Sequence, residues 1–294
     1  MKFKRLIFFV LLVGVIVELG LRIFLGFGHQ LLQIEDEECE YLVKPNQNGH
    51  RFGKLYNYNS YSQRSDEPDS TKKIVLGLGD SVIDGGSLTD QEDIATSLFT
   101  KETGIQMLNI SNGSWGPDNC AAYLKKFGLF NANAMYLLVS SHDAHDVIDH
   151  QKVVGVHPSY PDKDYLLAWN ELIFRYIIPR ITKEAMRLDP DAKVVKGMIK
   201  KDGPFNPGFQ QLKEIADSAG IPLLICLHPE LSELDAGEYN EQGVEIINWC
   251  AQNNIKIIKE LDEGVSSDMY RDIIHINEKG QRFECDLMKK YISF

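Results

Sequence analysis

Hydrophobic and polar positions divide the chain into three regimes. The first is apolar: Leu6 to Val17 carries no polar side chain, and apolar residues continue to Phe27, interrupted only by Glu18 and Arg22 among charged groups. A run of that length can span a bilayer as a helix. The second regime, His29 to Thr71, is polar, dotted with aromatics and rich in turn residues. Pro45-Asn46-Gln47-Asn48-Gly49 marks a turn, and Tyr56 to Tyr61 alternates with the period of a strand. Its Arg64-Ser65-Asp66-Glu67-Pro68-Asp69 end reads as a solvated loop, and its aromatics as a packed lid, with sugar binding as the alternative.

From Lys73 onward, short apolar runs alternate with helical periods. Strands are expected from Ile74, at Gln106–Ile110, Met135–Val139 and Pro222–Leu227, and at Ile255–Ile258. Helices are expected at Glu92–Glu102, Asn119–Phe127, Tyr165–Leu188, Phe209–Ala219, Val244–Asn253 and Asn277–Ile292. Such alternation predicts an α/β architecture, a parallel sheet with helices on both faces. The stretch 150–204 is long for a crossover and reads as an insertion around the helix Tyr165–Leu188. The expected organisation is an anchor at 1–28, a juxtamembrane segment packing on the domain at 29–72, and the main domain at 73–294. No repeat or low-complexity tract interrupts it.

Charge sharpens the picture of the N-terminus. Lys2, Lys4 and Arg5 flank the apolar run on its N-terminal side, which predicts a cytoplasmic N-terminus and an exported body, periplasmic or extracellular. A cleaved signal peptide is the competing reading, because Leu6–Val17 alone fits its apolar region. No small-x-small cleavage site follows, and the first cysteine, Cys39, is not placed to take a lipid, so a single-pass anchor is favoured. Glu18 and Arg22 are four apart and can pair on one helix face; Arg22 can equally snorkel to the outer headgroups. The net charge of the 294 residues is −11. An acidic body argues against nucleic acid as a partner. The five cysteines have no metal-ligand spacing, and their odd number makes a disulfide framework unexpected, with one bridge left open. Cys226 reads as a small core hydrophobe.

Candidate chemistry concentrates at two places far apart in sequence. In Ile74-Val75-Leu76-Gly77-Leu78-Gly79-Asp80-Ser81, a buried-type strand ends abruptly in Gly-Asp-Ser, which puts Ser81 at the rim where open α/β sheets keep their ligand sites. The alternative is that Asp80 or Ser81 simply caps a helix. The surroundings fit neither the Gly-x-Ser-x-Gly elbow nor a phosphate loop. Near the other end, Asp272-Ile273-Ile274-His275 places a carboxylate and an imidazole on one turn, where the first can orient the second. A surface histidine beside a helix start is the plainer reading of that turn alone.

Taken together, Gly79-Asp80-Ser81 and Asp272-x-x-His275 resemble the SGNH (GDSL-type) hydrolase family, over roughly Lys73 to the C-terminus. The resemblance implies a three-layer α/β/α, flavodoxin-like fold with a mostly parallel five-stranded sheet, here preceded by one N-terminal transmembrane helix. It implies ester chemistry with Ser81 as nucleophile, His275 as base and Asp272 as its orienter. The family's oxyanion donors map to the backbone N–H of Ser81, to Ser114 and to His142. Matching Trp115-Gly116 to the family pattern puts Ser114 where a glycine usually stands, and Gly113 is the alternative; Gly116-Pro117 also reads as a helix start. His142 stands where the family has asparagine, and a neutral imidazole N–H can still donate. His142, Asp143, His145, Asp146, Asp149 and His150 invite a metal reading, but helical spacing would spread them around an axis, so no metal and no cofactor is expected. His157 and His228 read as loop histidines, the latter near the active rim. The implied substrate is an acyl ester, with O-acetyl groups of a carbohydrate as one candidate. An O-acyltransferase acting on an exported polysaccharide, or a catalytically silent assembly protein of the same fold, are the alternatives.

Overall fold

A computed structural model of the protein describes residues 2–181 and 203–293. The far part of the expected helix Tyr165–Leu188 lies outside the described residues. The opening apolar run is one helix, α1 (Lys2–Leu25). Among the described residues it is the one helix long and apolar enough to cross a membrane. The polar, aromatic segment forms two antiparallel hairpins. The first pairs β1 (Gln33–Asp36) with β2 (Glu40–Val43), and the second pairs β3 (Gln47–Arg51) with β4 (Lys54–Tyr58). Their aromatics pack inward: Tyr41, Tyr56 and Tyr58 are buried.

The apolar runs after Lys73 form the central sheet from β5 (Ile74–Gly79), β6 (Gln106–Ser111), β7 (Ala134–Ser140), β8 (Leu223–His228) and β9 (Lys256–Lys259). All four pairings are parallel, in the order β6-β5-β7-β8-β9. The first four of these strands are buried along their whole length, which is why they read as continuous apolar runs. Side chains alternate between two cores. Val75 and Met107 face one, with α3 (Ala95–Thr103) and the last helix, Glu278–Tyr291, supplying Phe99 and Met288. Leu76, Leu78 and Ile110 face the other, with Leu124 of α4 (Pro117–Phe127), Leu212 and Ile246. This is a three-layer α/β/α fold with flavodoxin-like strand order. Its topological switch point lies between β5 and β7, whose carboxyl ends open on the crevice where such folds bind ligands.

Two expectations are corrected. Arg64 is not in a solvated loop. It is 1% exposed, and its guanidinium donates to the carbonyls of Asp84 (2.6 Å), Gly86 (2.8 Å) and Thr89 (2.9 Å). Five fixed donors let arginine be buried when carbonyls surround it, and sequence cannot say where those carbonyls come from. His228 is not a loop histidine: it closes β8 and is fully buried. The five cysteines are buried and free.

Candidate active site

Ser81 is the first residue of a short helix, α2 (Ser81–Asp84), directly after β5. The turn depends on Gly79, where a Cβ would lie 2.6 Å from the Leu138 carbonyl oxygen on β7. Asp80 caps the helix, its Oδ1 accepting from the Val82 N–H at 2.8 Å. The capping and catalytic readings of Gly-Asp-Ser are therefore compatible: Asp80 caps, and Ser81 is left to face the crevice. Asn109 Nδ2 donates to the Ile83 carbonyl at 2.9 Å, and Gln281 Nε2 to the Val82 carbonyl at 3.0 Å. The hydroxyl thus sits on backbone fixed from two sides.

Asp272 and His275 lie in the loop before the last helix. Asp272 Oδ1 accepts from the backbone N–H groups of Ile274 (3.0 Å) and His275 (2.8 Å), while Oδ2 lies 2.8 Å from His275 Nδ1. Partial burial pushes the Asp272 carboxyl up, but those two N–H groups and the His275 ring outweigh it and hold the pKa below its ordinary value. Asp272 is therefore an anion at neutral pH, Nδ1 carries a proton toward it, and Nε2 is left as an acceptor. That Nε2 is 2.9 Å from Ser81 Oγ. The structure brings Ser81, His275 and Asp272 into one hydrogen-bonded line across 194 residues of sequence.

The loop carrying His275 is held from behind by residues that sequence reasoning did not assign. His228 Nε2 is 2.8 Å from the Ile274 carbonyl, so it must donate, and Nδ1 is 2.8 Å from Glu260 Oε2. Burial lowers the His228 pKa. It raises Glu260 to about 7 and Glu284 well above its usual range. A neutral His228 accepting at Nδ1 from a protonated Glu260 satisfies both contacts. Tyr270 Oη donates to the Pro229 carbonyl at 2.6 Å, and Leu231 N–H to the Ile273 carbonyl at 2.9 Å.

A cavity of about 170 Å³ opens beside Ser81 and His275, between the 85–88 loop and Arg271. Arg64 fixes that loop through the three carbonyls named above, and Tyr58 Oη donates to Asp84 Oδ2 at 2.6 Å beneath it.

Ser114 and His142 lie outside the walls of this cavity. Ser114 is exposed, with a left-handed φ of 57°, in the turn between β6 and α4. The Gly113 N–H donates to Asn112 Oδ1 at 2.8 Å, so of the two candidates Ser114 has the freer N–H. His142 follows β7 and is buried in an acidic cluster. Its Nδ1 is 3.4 Å from Glu230 Oε1, and its Nε2 is 3.9 Å from Asp143 Oδ1, beyond hydrogen-bond reach. Burial alone would lower its pKa, but the carboxylates of Asp143, Glu230 and Asp80 push it up to about 9. Those carboxylates favour the imidazolium over the expected neutral ring, with Nδ1 nearest Glu230 and Nε2 without a hydrogen bond. Of the rest of the histidine-acid run, Asp143 and Asp146 stay close enough to act on His142, whereas His145 turns to Glu245 Oε2 (2.7 Å) and the Gly203 carbonyl (2.9 Å). Asp80, His142 and Asp143 offer one ligand atom each within 4.8 Å of one another. The same closeness is what a buried ion-paired histidine requires, and Asp143 Oδ2 already accepts the Ser140 N–H at 2.7 Å.

No family model matches the chain, and no curated protein matches it. Among solved structures it is similar to a lipolytic protein of the G-D-S-L family from Veillonella parvula DSM 2008, at 11% identity over 75% of this chain and 98% of that one, with a TM-score of 0.41. A putative lipolytic protein of the same family from Desulfitobacterium hafniense DCB-2 gives 10%, 75%, 100% and 0.44. A putative arylesterase from Agrobacterium tumefaciens str. C58 gives 13%, 74%, 97% and 0.43.

Proposed function

We propose that the chain is a membrane-anchored serine esterase of SGNH type. The observation that carries this reading is the line Ser81 Oγ–His275 Nε2 (2.9 Å) and His275 Nδ1–Asp272 Oδ2 (2.8 Å) at the switch point of the sheet. Ser81 Oγ attacks the ester carbonyl carbon as its proton passes to His275 Nε2. The tetrahedral intermediate expels the alcohol, which takes that proton, and leaves an acyl group on Ser81. Water then attacks the acyl carbon, gives its proton to His275, and releases the acid as Ser81 is reprotonated. Asp272 holds the productive tautomer and stabilises the imidazolium. The N–H groups of Ser81 and Ser114, with the charged His142, are the proposed oxyanion donors. A cavity of about 170 Å³ suits a short acyl group, and O-acetyl esters of a carbohydrate are the substrate class to try first. A sugar hydroxyl in place of water would make the same enzyme an acyltransferase. The basic flank before α1 supports a cytoplasmic N-terminus and a body outside that membrane.

The test is labelling of the full chain, in membranes, by a fluorophosphonate. The parent is expected to label and to release acetate from acetyl esters, and Ser81→Ala to do neither while melting at the parent temperature. Labelling that persists in Ser81→Ala, or none in the parent, would overturn the reading.

A further inference from the structure

The helical segment 168–181 differs from the rest of the surface in what it exposes. Its inner side is built into the protein. Glu171 is buried, pairs with the buried Arg51, and accepts from the Gly28 N–H at 2.7 Å. Tyr176 stacks on Phe27 with ring centroids 5.0 Å apart. The outer side carries Ile173, Phe174, Ile177, Ile178 and Ile181, between 38% and 62% exposed, and is preceded by Leu166 at 85%. Single exposed apolar residues are ordinary, but a contiguous set on one short segment marks an interaction surface.

Its connection to α1 identifies the occupant. The Glu18 carboxylate accepts from the N–H groups of Ala168 (2.9 Å) and Trp169 (3.3 Å), and Arg22 donates to the Leu166 carbonyl at 2.8 Å. The segment therefore starts level with the last two turns of α1, where Leu19, Ile23 and Phe24 are themselves at least half exposed. A hydrocarbon core of about 30 Å takes up roughly 20 helical residues. Counted from the basic flank at Lys4 and Arg5, its far boundary falls near Arg22 to Leu25. The exposed isoleucines and Phe174 thus extend the apolar surface of α1 near that boundary.

We propose that the 168–181 helix lies in the plane of the membrane, with its apolar side in the interface of the leaflet on the body's side. The proposal rests on α1 being a membrane span and is independent of the ester chemistry. A span and an in-plane helix, joined through Glu18, Arg22 and Glu171, hold the body in one orientation, as a flexible tether would not. The β3–β4 hairpin carries that orientation to the site. On one side of its turn Arg51 donates to the Gly26 carbonyl at 2.8 Å. Directly across the same turn, Lys54 pairs with Glu278 at 3.2 Å and the Leu55 N–H donates to Asp90 at 3.0 Å, beside the Ser81 cavity. The mouth of that cavity then stands at a fixed height above the lipid.

The experiment places tryptophan at exposed positions of the full chain, in phosphatidylcholine–phosphatidylglycerol vesicles with or without bromine near the headgroup end of the acyl chains. Emission is read as the difference from the parent. Bromine is expected to reduce the emission added by Phe174→Trp roughly two-fold or more, as for a side chain in the interface. Leu12→Trp, inside the span, should also be quenched, and Val244→Trp, on the body, should not. Quenching at Leu12→Trp without quenching at Phe174→Trp would overturn the in-plane helix and leave the span standing. No quenching at either would remove the span and the proposal together.

Discussion

Gln281 reaches from the last helix to donate to the Val82 carbonyl, 3.0 Å away and one residue beyond Ser81. Its other amide atom accepts the Ala95 N–H at 2.7 Å. His275 lies just ahead of the same helix, so this one buried side chain ties the element behind His275 to the element that begins with Ser81. Gln281→Leu keeps the volume and removes both bonds. Each abandoned buried partner costs roughly 1–3 kcal/mol, so the variant should melt several degrees below the parent. Among the molecules that remain folded, kcat should fall while KM holds, because the Ser81–His275 separation loosens and the cavity does not change. Steady-state kinetics well below the melting temperature check this, and a parent-like kcat would assign Gln281 to stability alone.

Asp272 has two tasks, and asparagine can do only one of them. Its Oδ1 receives the N–H groups of Ile274 and His275, and its Oδ2 receives His275 Nδ1. In Asp272→Asn the amide oxygen will stay with the two backbone donors, which turns the NH₂ toward Nδ1 and favours the wrong tautomer. Ester turnover should drop by roughly two to four orders of magnitude with little change in stability, and less than in His275→Ala. Equal loss in the two variants would mean that Asp272 does more than orient the ring.

Arg64 supports the cavity wall. Arg64→Met fills much of the same space but leaves the carbonyls of Asp84, Gly86 and Thr89 without their donor. It also leaves the Asp84 carboxylate without the guanidinium 3.7 Å away. Removing one partner of a buried charged cluster costs roughly 3–5 kcal/mol. In the fraction that folds, KM should rise for every acyl chain length, because the 85–88 wall is no longer held. Arg64→Lys should recover little, since an ammonium cannot span three carbonyls. Thermal unfolding and KM across a series of acyl esters are the measurements, and a parent-like KM in Arg64→Met would separate the wall from the guanidinium.

What was legible in the sequence was what short-range patterning encodes. The continuous apolar runs gave the parallel sheet, because strands buried on both faces leave no polar side chain to interrupt them. Gly79-Asp80-Ser81 and Asp272-x-x-His275 are each local turns, so both could be read and paired. The contacts that hold them were not legible. Arg64 to the 84–89 loop, His228 to the Ile274 carbonyl and Gln281 to Val82 are each a polar side chain meeting a backbone group distant in sequence. A charged run such as Arg64-Ser65-Asp66-Glu67 looks solvated until those carbonyls are found around the guanidinium. The hairpins of 33–58 were legible only in part: Tyr56 to Tyr61 shows a strand's period and overlaps β4, but the other short strands are of mixed polarity and carry little alternation. The charge state of His142 depends on Asp80 and Glu230, which approach it only in the fold.

His142 supplies the last prediction, and its sign follows from where its proton is held. Its pKa is about 9 in the folded protein, against an ordinary value near 6.5 when the chain is unfolded. The folded state therefore holds a proton that the unfolded state has lost across that window. The stability His142 contributes is complete below pH 6.5, declines as pH rises, and is gone above about pH 9. His142→Asn removes the titration, so the gap in melting temperature between parent and variant should shrink from pH 6.5 to pH 9. Catalysis gives a second, separate readout. If the uncommitted N–H serves the oxyanion, His142→Ala should lower kcat by roughly ten- to a thousand-fold, and His142→Asn, which keeps an N–H at that place, should retain most of the difference. A gap that stays constant with pH would show that His142 is not charged in the folded protein. Equal kcat in the alanine and asparagine variants would show that its N–H does not reach the reacting oxygen.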